Sequence, residues 1–321
     1  MLQNNLLGSA LVLVCGLVVL VVSARWFIQG CVRACGIFRL TPLFIGLVLV
    51  AAGTSVPELA VGLTAVLKGQ RGIALGNVLG SNVCNIGLIL GLCAFFRPLS
   101  VDRGIFKREA PALILSLVLF YLLGRDLVIG RIDGALFILA FVVFCFVSYF
   151  GSRRSFDSAG TEEVRLSEWL QRLRTWPLVM LVILPSLAGV GLGAELMVRG
   201  GVSLARAFGV RPWIIAITVF ALGTSLPELA TSLTASFKKA SDISVGNIIG
   251  SNIFNVLLVL GLVAVVRPIT VEPSVLRFEF PFLFLLTVFL TALMRRRYRL
   301  GRREGLAMLL LYIGFLLTLV R

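Results

Sequence analysis

Two glutamates carry the chemistry of this sequence. Glu58 and Glu228 each lie deep inside a long run without basic residues, among hydroxyl-bearing neighbours. A carboxylate in an apolar helix costs about 2.5–3.5 kcal/mol on membrane-insertion scales, so it needs a compensating partner. Thr54 and Ser55 stand four and three residues before Glu58, and Thr224 and Ser225 stand in the same places before Glu228. At helical spacing those hydroxyls share the carboxylate's face, so each helix presents a stripe of hard oxygen ligands. Pro57 and Pro227 precede the glutamates. Each proline lacks an N–H, which leaves the carbonyl of Gly53 or Gly223 without its helical donor; the result is either a structural kink or backbone oxygens freed for a cation.

A second pair of polar ridges follows. Asn77, Ser81 and Asn85 recur at four-residue intervals, matched by Asn247, Ser251 and Asn255. Gly76 and Gly80, with Gly246 and Gly250, form GxxxG steps that let helix backbones approach closely. Ser81, Asn85, Ser251 and Asn255 lie on the face that meets the glutamate helices and are read as ligands. Asn77, Asn82, Asn247 and Asn252 serve equally well as polar glue between helices. The pooled donors are carboxylate, hydroxyl, amide and backbone oxygens, a set suited to Ca²⁺ with its 6–8 oxygen ligands, or to Na⁺, rather than to zinc or copper. Two carboxylates neutralise one divalent ion. Without it the same charges call for Na⁺ or protons, and that mutual exclusion is the physical basis of antiport.

The elements that must position these residues span a membrane. The chain has 321 residues, 59% apolar and 14% charged, with mean hydropathy +1.03, which excludes a water-soluble globule. Runs with few or no charges cover 6–24, 40–67, 72–96, 110–124, 134–151, 176–194, 212–237, 243–266, 280–294 and 305–320. Most approach the ~20 residues that cross a bilayer, the fourth and ninth being short. The expected fold is therefore all-α and integral to the membrane, with ten transmembrane helices. The start of the first run carries no Lys or Arg and its apolar stretch is long, so it reads as a mature helix rather than a secretory signal.

A shift of 170 positions lays Gly53-Thr-Ser-Val-Pro-Glu-Leu-Ala60 on Gly223-Thr-Ser-Leu-Pro-Glu-Leu-Ala230, with seven of eight residues identical. It also lays Gly76-Asn-Val-Leu-Gly-Ser-Asn-Val-Cys-Asn-Ile86 on Gly246-Asn-Ile-Ile-Gly-Ser-Asn-Ile-Phe-Asn-Val256, and Glu109 on Glu279. The chain is a tandem duplication: residues 1–151, a polar connector 152–175 too short for a core of its own, and residues 176–321. Five crossings per half, an odd number, make the halves inverted-topology repeats. The net charge of +15 is topological rather than a nucleic-acid footprint. Twenty of the thirty basic residues fall on one side when the N-terminus is placed outside, so both termini are expected outside a cell (inner) membrane and the connector in the cytoplasm.

The absence of histidine excludes imidazole metal sites and His-dependent nucleophiles, and no phosphate loop is present, so an enzyme is not expected. The six cysteines form no CxxC pair and read as packing residues.

At the two repeated blocks the sequence resembles the sodium/calcium exchanger superfamily of cation/Ca²⁺ antiporters, in its compact ten-helix prokaryotic form. The resemblance implies a central cation cluster of Thr54, Ser55, Glu58, Ser81 and Asn85 with Thr224, Ser225, Glu228, Ser251 and Asn255, helped by the carbonyls of Ala51 and Ala221. It implies that the first and sixth helices slide across this core to give alternating access. Many members carry an aspartate at one of the positions held here by Asn85 and Asn255, so potassium co-transport is not expected. Arg25 stands where the second repeat has Glu195, so the two sliding helices differ in charge at their ends. The activity implied is Na⁺/Ca²⁺ exchange, with Ca²⁺/H⁺ exchange at the same site as the rival and a passive cation channel as a weaker one. Membrane lipid and the transported ions are the expected partners, with no cofactor, nucleic acid or obligatory protein partner.

Overall fold

The computed structural model describes residues 6–69, 71–156, 175–208 and 223–319. Among these, six helices are long and apolar enough to cross a membrane, or seven when one bent pair is taken as a single span. They are α1 (Leu6–Phe38), α4 (Gly72–Phe96), α6 (Arg131–Phe156), α7 (Trp176–Ala207), α9 (Ser241–Val266) and α10 (Val275–Arg297). The bent pair is α2 (Pro42–Thr54) and α3 (Val56–Leu67), which meet at 43°. Shorter helices α5 (Glu109–Gly124), α8 (Leu226–Phe237) and α11 (Arg302–Leu319) complete the described set. The connector lies almost wholly outside the described residues.

Position in the bundle follows composition. The apolar windows of α4 and α9, which carry the small and amide residues of the repeated blocks, are 78% and 83% buried. Those of α1 and α6 are only 17% and 22% buried, and their exposed Leu, Val and Phe side chains face outward, as in helices whose neighbours are lipid. The main core runs through α4, α9 and the helices that flank them, with Leu90, Phe120, Val256 and Leu290 fully enclosed.

Several boundaries depart from the uncharged runs. α1 continues past Arg25 and Arg33 to Phe38, so these arginines ride on a helix of 33 residues, about 50 Å long, instead of in a loop. Its partner α7 is similarly long, at 32 residues. α10 begins at Val275 in a π-helical turn, so the ninth run is short in uncharged residues but not in helix.

α1 and α7 pack antiparallel along a seam of small residues. Ser9 and Ser203 share a hydrogen bond of 2.7 Å near one end. A Cβ on Gly193 would lie 2.5 Å from the backbone nitrogen of Leu20, and one on Gly16 would lie 2.6 Å from that of Met197. Only glycine admits such an approach, the means by which apolar helices gain packing without a hydrophobic driving force.

The two repeats are also sewn together by two short antiparallel ladders. β1 (Leu99–Ser100) pairs with β4 (Arg299–Leu300), and β2 (Val128–Ile129) pairs with β3 (Ile269–Thr270).

Candidate cation-binding site

The helix that carries Glu58 is broken, not merely kinked, and the one that carries Glu228 begins at Leu226 after a turn of the same geometry. Ser55 (φ −87°, ψ 7°) and Ser225 (φ −89°, ψ 6°) leave helical geometry, and each proline then sits in the first turn of a new helix, where its missing N–H is harmless. Both glutamates therefore lie in the first turn of a helix, a position favourable to negative charge. The break also redirects the preceding hydroxyls away from their own carboxylate, which corrects the shared-face geometry expected of an unbroken helix.

The redirected hydroxyls cross between repeats. Ser55 Oγ donates to Glu228 Oε1 at 3.1 Å, and Ser225 Oγ donates to Glu58 Oε1 at 3.4 Å. Ser251 Oγ adds a bond of 3.5 Å to the same Glu228 oxygen. Thr54 lies within reach of Glu228, and Thr224 within reach of Glu58. Thr54 also donates to Asn247 Oδ1 at 3.3 Å, with Thr224 placed equivalently at 3.5 Å from Asn77 Oδ1.

α4 and α9 each pass through a π-helical stretch, Cys84–Leu90 and Phe254–Val259, holding Asn85 and Asn255. Such bulges rotate side chains out of helical register and occur often at functional sites. Asn85 Nδ2 donates to Asn252 Oδ1 and Asn255 Nδ2 to Asn82 Oδ1, each at 3.2 Å. These crossed amides orient each donor toward the opposite repeat and leave the amide oxygens of Asn85 and Asn255 free.

What remains is a set of buried oxygens without hydrogen-bond partners: Glu58 Oε2, Glu228 Oε2, Asn85 Oδ1, Asn255 Oδ1 and Ser81 Oγ. Glu58 and Glu228 are fully buried. Among the described residues neither site carboxylate has a basic ion-pair partner. Each unsatisfied buried group costs about 1–3 kcal/mol, more for a charged one. The donor chemistry of this set fits a hard cation with an oxygen shell.

Of the residues read from the sequence, Thr54, Ser55, Glu58, Ser81, Asn85, Ser225, Glu228, Ser251 and Asn255 are buried in the bundle and Thr224 is half-buried. The Ala51 carbonyl accepts from Ser55 N–H at 2.9 Å and lies 3.4 Å from Thr54 Oγ1, a second and longer donor. Ala221 lies outside the described residues. Asn77 and Asn82 bridge to Glu58 O and Asn252 O, each at 3.3 Å, which is the glue role.

Other neighbours escaped sequence reasoning. Thr231 and Ser232 are fully buried and accept from Asn247 Nδ2 at 3.2 and 2.7 Å. The first repeat has Val61 and Gly62 there, so self-comparison passes over them. Cys84, read as packing, neighbours both Ser225 and Tyr312, and close packing of Tyr312 on Gly87 brings the last helix to the site's edge.

Comparison with known proteins gives one consistent result. The family model described as Sodium/calcium exchanger protein matches residues 8–150 and 178–321. Inner membrane protein YrbG of Escherichia coli (strain K12) is 35% identical over 98% of this chain and 96% of its own length. Sodium/calcium exchanger MaX1 of Methanosarcina acetivorans is 29% identical over 96% of this chain and 97% of its own. The solved structure of the sodium-calcium exchanger NCX_Mj soaked with 10 mM Na⁺ and zero Ca²⁺ superposes with a TM-score of 0.84 at 28% identity, covering 98% of this chain and 100% of that one.

Proposed function

The chain belongs to the sodium/calcium exchanger family, and from that membership we propose that it is a secondary active antiporter that exchanges Ca²⁺ for Na⁺ by alternating access. The observation that carries this reading is the crossed carboxylate pair, each with one oxygen held by the other repeat's serine and one oxygen unpartnered. Glu58, Glu228, Asn85, Asn255 and Ser81 would supply the first oxygens to the ion. Thr54, Ser55, Thr224, Ser225 and Ser251, with backbone oxygen from Ala51 and Ala221, would complete and position the shell.

Charge balance gives the coupling. One Ca²⁺ neutralises two carboxylates, and its departure leaves two buried charges that monovalent cations must compensate before the helices can move. A site that is costly to carry bare in either direction couples the two fluxes. Proton compensation would use the same carboxylates, so Ca²⁺/H⁺ exchange is the reading that the experiment below separates from Na⁺ coupling.

In this reading ten helices form two inverted five-helix repeats with both termini outside. α1 and α7 slide together, because their glycine seam leaves no room for one to move without the other. α1 packs on α8, through Leu20 and Ala24 against Leu226 and Ala230, whereas α7 makes no comparably extensive contact with α3. That asymmetry between equivalent elements suits a state open to one side only.

The test is ⁴⁵Ca²⁺ uptake into proteoliposomes driven in turn by a Na⁺ gradient and by a pH gradient. Uptake that follows the Na⁺ gradient supports the proposal; uptake that persists without Na⁺ and collapses with the pH gradient replaces it with proton exchange.

A further inference from the structure

The turn that joins the last two helices is far more basic than its fold requires, and the duplication supplies the control. Residues 296–304 and 125–133 are equivalent under a shift of 171. Tyr298 (φ 50°) and Leu127 (φ 67°) both take the left-handed conformation. Leu300 and Ile129 both enter a short antiparallel ladder. Gly301 N–H donates to Glu304 Oε2 at 3.0 Å, and Gly130 N–H donates to Asp133 Oδ2 at 2.7 Å.

On this common backbone the charges differ. Residues 125–133 hold Arg125 and Arg131 balanced by Asp126 and Asp133. In the other turn Arg297, Arg299 and Arg303 occupy the positions of Asp126, Val128 and Ile132, beside Arg295, Arg296 and Arg302. All six arginines are exposed, and none takes part in an ion pair among the described residues. The nearest acid in sequence, Glu304, is engaged by the backbone of Gly301. Orientation in the membrane accounts for the sign but not the number: the turn between α8 and α9, assigned to the same side, manages with Lys238 and Lys239.

The ladder between β1 and β4 brings more positive charge. Val101 N–H donates to Tyr298 O at 2.9 Å, and the Arg103 guanidinium carbon lies 4.8 Å from the Tyr298 ring centre, with Lys107 exposed on the same loop. Phe96, 52% exposed at the end of α4, adds an apolar surface where the loop leaves the bundle.

We propose that the turn 295–304, with Arg103 and Lys107, binds the phosphodiester headgroup of anionic phospholipid. Unpaired guanidinium groups at the end of membrane helices match that ligand: they chelate phosphate oxygens in pairs, are less hydrated than lysine, and are drawn to an anionic membrane surface. The lipid's acyl chains would lie along the exposed apolar flank, which free phosphate has no means to use.

The experiment uses the purified full-length protein in detergent, offered phosphatidylglycerol or phosphatidylcholine, with retained lipid counted by native mass spectrometry. The wild type should retain phosphatidylglycerol at least several-fold better, and the preference should fall with added salt. The triple variant R297D/R299V/R303I, which installs the residues of the equivalent turn, should retain both lipids alike. Because that variant could insert incorrectly, R103Q/K107Q is measured beside it and should weaken the preference without touching the turn. Equal retention of both lipids by the wild type, an unchanged preference in both variants, or displacement of phosphatidylglycerol by an equal concentration of inorganic phosphate would overturn the proposal. The readout does not involve ion flux, so it stands apart from the exchange reading.

Discussion

Ser55, at the break in the first repeat's glutamate helix, donates its hydroxyl to Glu228 of the second repeat at 3.1 Å, and Ser225 returns the bond to Glu58 at 3.4 Å. The two carboxylates are thereby each oriented by the half of the molecule to which they do not belong. A displacement of Ser55 from Glu228, or of Ser225 from Glu58, would therefore disturb the proposed ion site from the opposite repeat.

Removing one crossed hydroxyl should weaken ion binding without unfolding the bundle. A hydrogen bond to a charged group is worth about 1.5–3 kcal/mol, so S55A should raise the half-saturating Ca²⁺ concentration at least several-fold. S225A should act in the same direction, less strongly because its bond is longer. Concentration dependence of ⁴⁵Ca²⁺ uptake measures both, with the maximum rate changed less than the half-saturation.

Ca²⁺ should stabilise the folded protein through the same oxygens. At about one hundred times the dissociation constant a ligand adds about 2.7 kcal/mol, a shift readable by thermal unfolding in detergent. E228Q should abolish the Ca²⁺-dependent shift, since it removes one of the two carboxylates proposed to face the ion.

A third acid would change the charge carried. N85D would place a carboxylate at a position whose amide oxygen is unpartnered. An occupied site would then need an additional positive charge. Na⁺-driven Ca²⁺ uptake by N85D should acquire a dependence on pH or on K⁺ that the wild type lacks.

The seam between α1 and α7 offers a structural test. G193L forces a side chain into the Leu20 backbone, whereas a Cβ at Gly191 meets nothing within 4 Å. Overpacking costs about 1–3 kcal/mol, so G193L should lower the unfolding midpoint and the transport rate while G191A leaves both near wild type.

Much of this was legible in the sequence because duplication wrote it twice. The paired blocks around Glu58 and Glu228 single out the candidate site, and their hydroxyl and amide neighbours give it a hard-oxygen donor set. The breaks were less legible. A proline says that a helical bond is missing, but whether the chain bends or restarts depends on what the freed groups find across the interface, and Ser55 finds Glu228. Residues present in one repeat only, such as Thr231, Ser232 and Tyr312, fall outside any self-comparison. The lengths of α1 and α7 were hidden because Arg25 in α1 and Glu195 in α7 end an uncharged run without ending a helix.

The most direct measurement is Na⁺-gradient-driven ⁴⁵Ca²⁺ uptake into proteoliposomes containing the wild type, E58Q or E228Q, with all three shown to be folded and inserted. The expected result is robust uptake by the wild type, abolished when the Na⁺ gradient is dissipated, and near-background uptake by each variant. Undiminished uptake in both variants would contradict the assignment of transport to the crossed carboxylate pair.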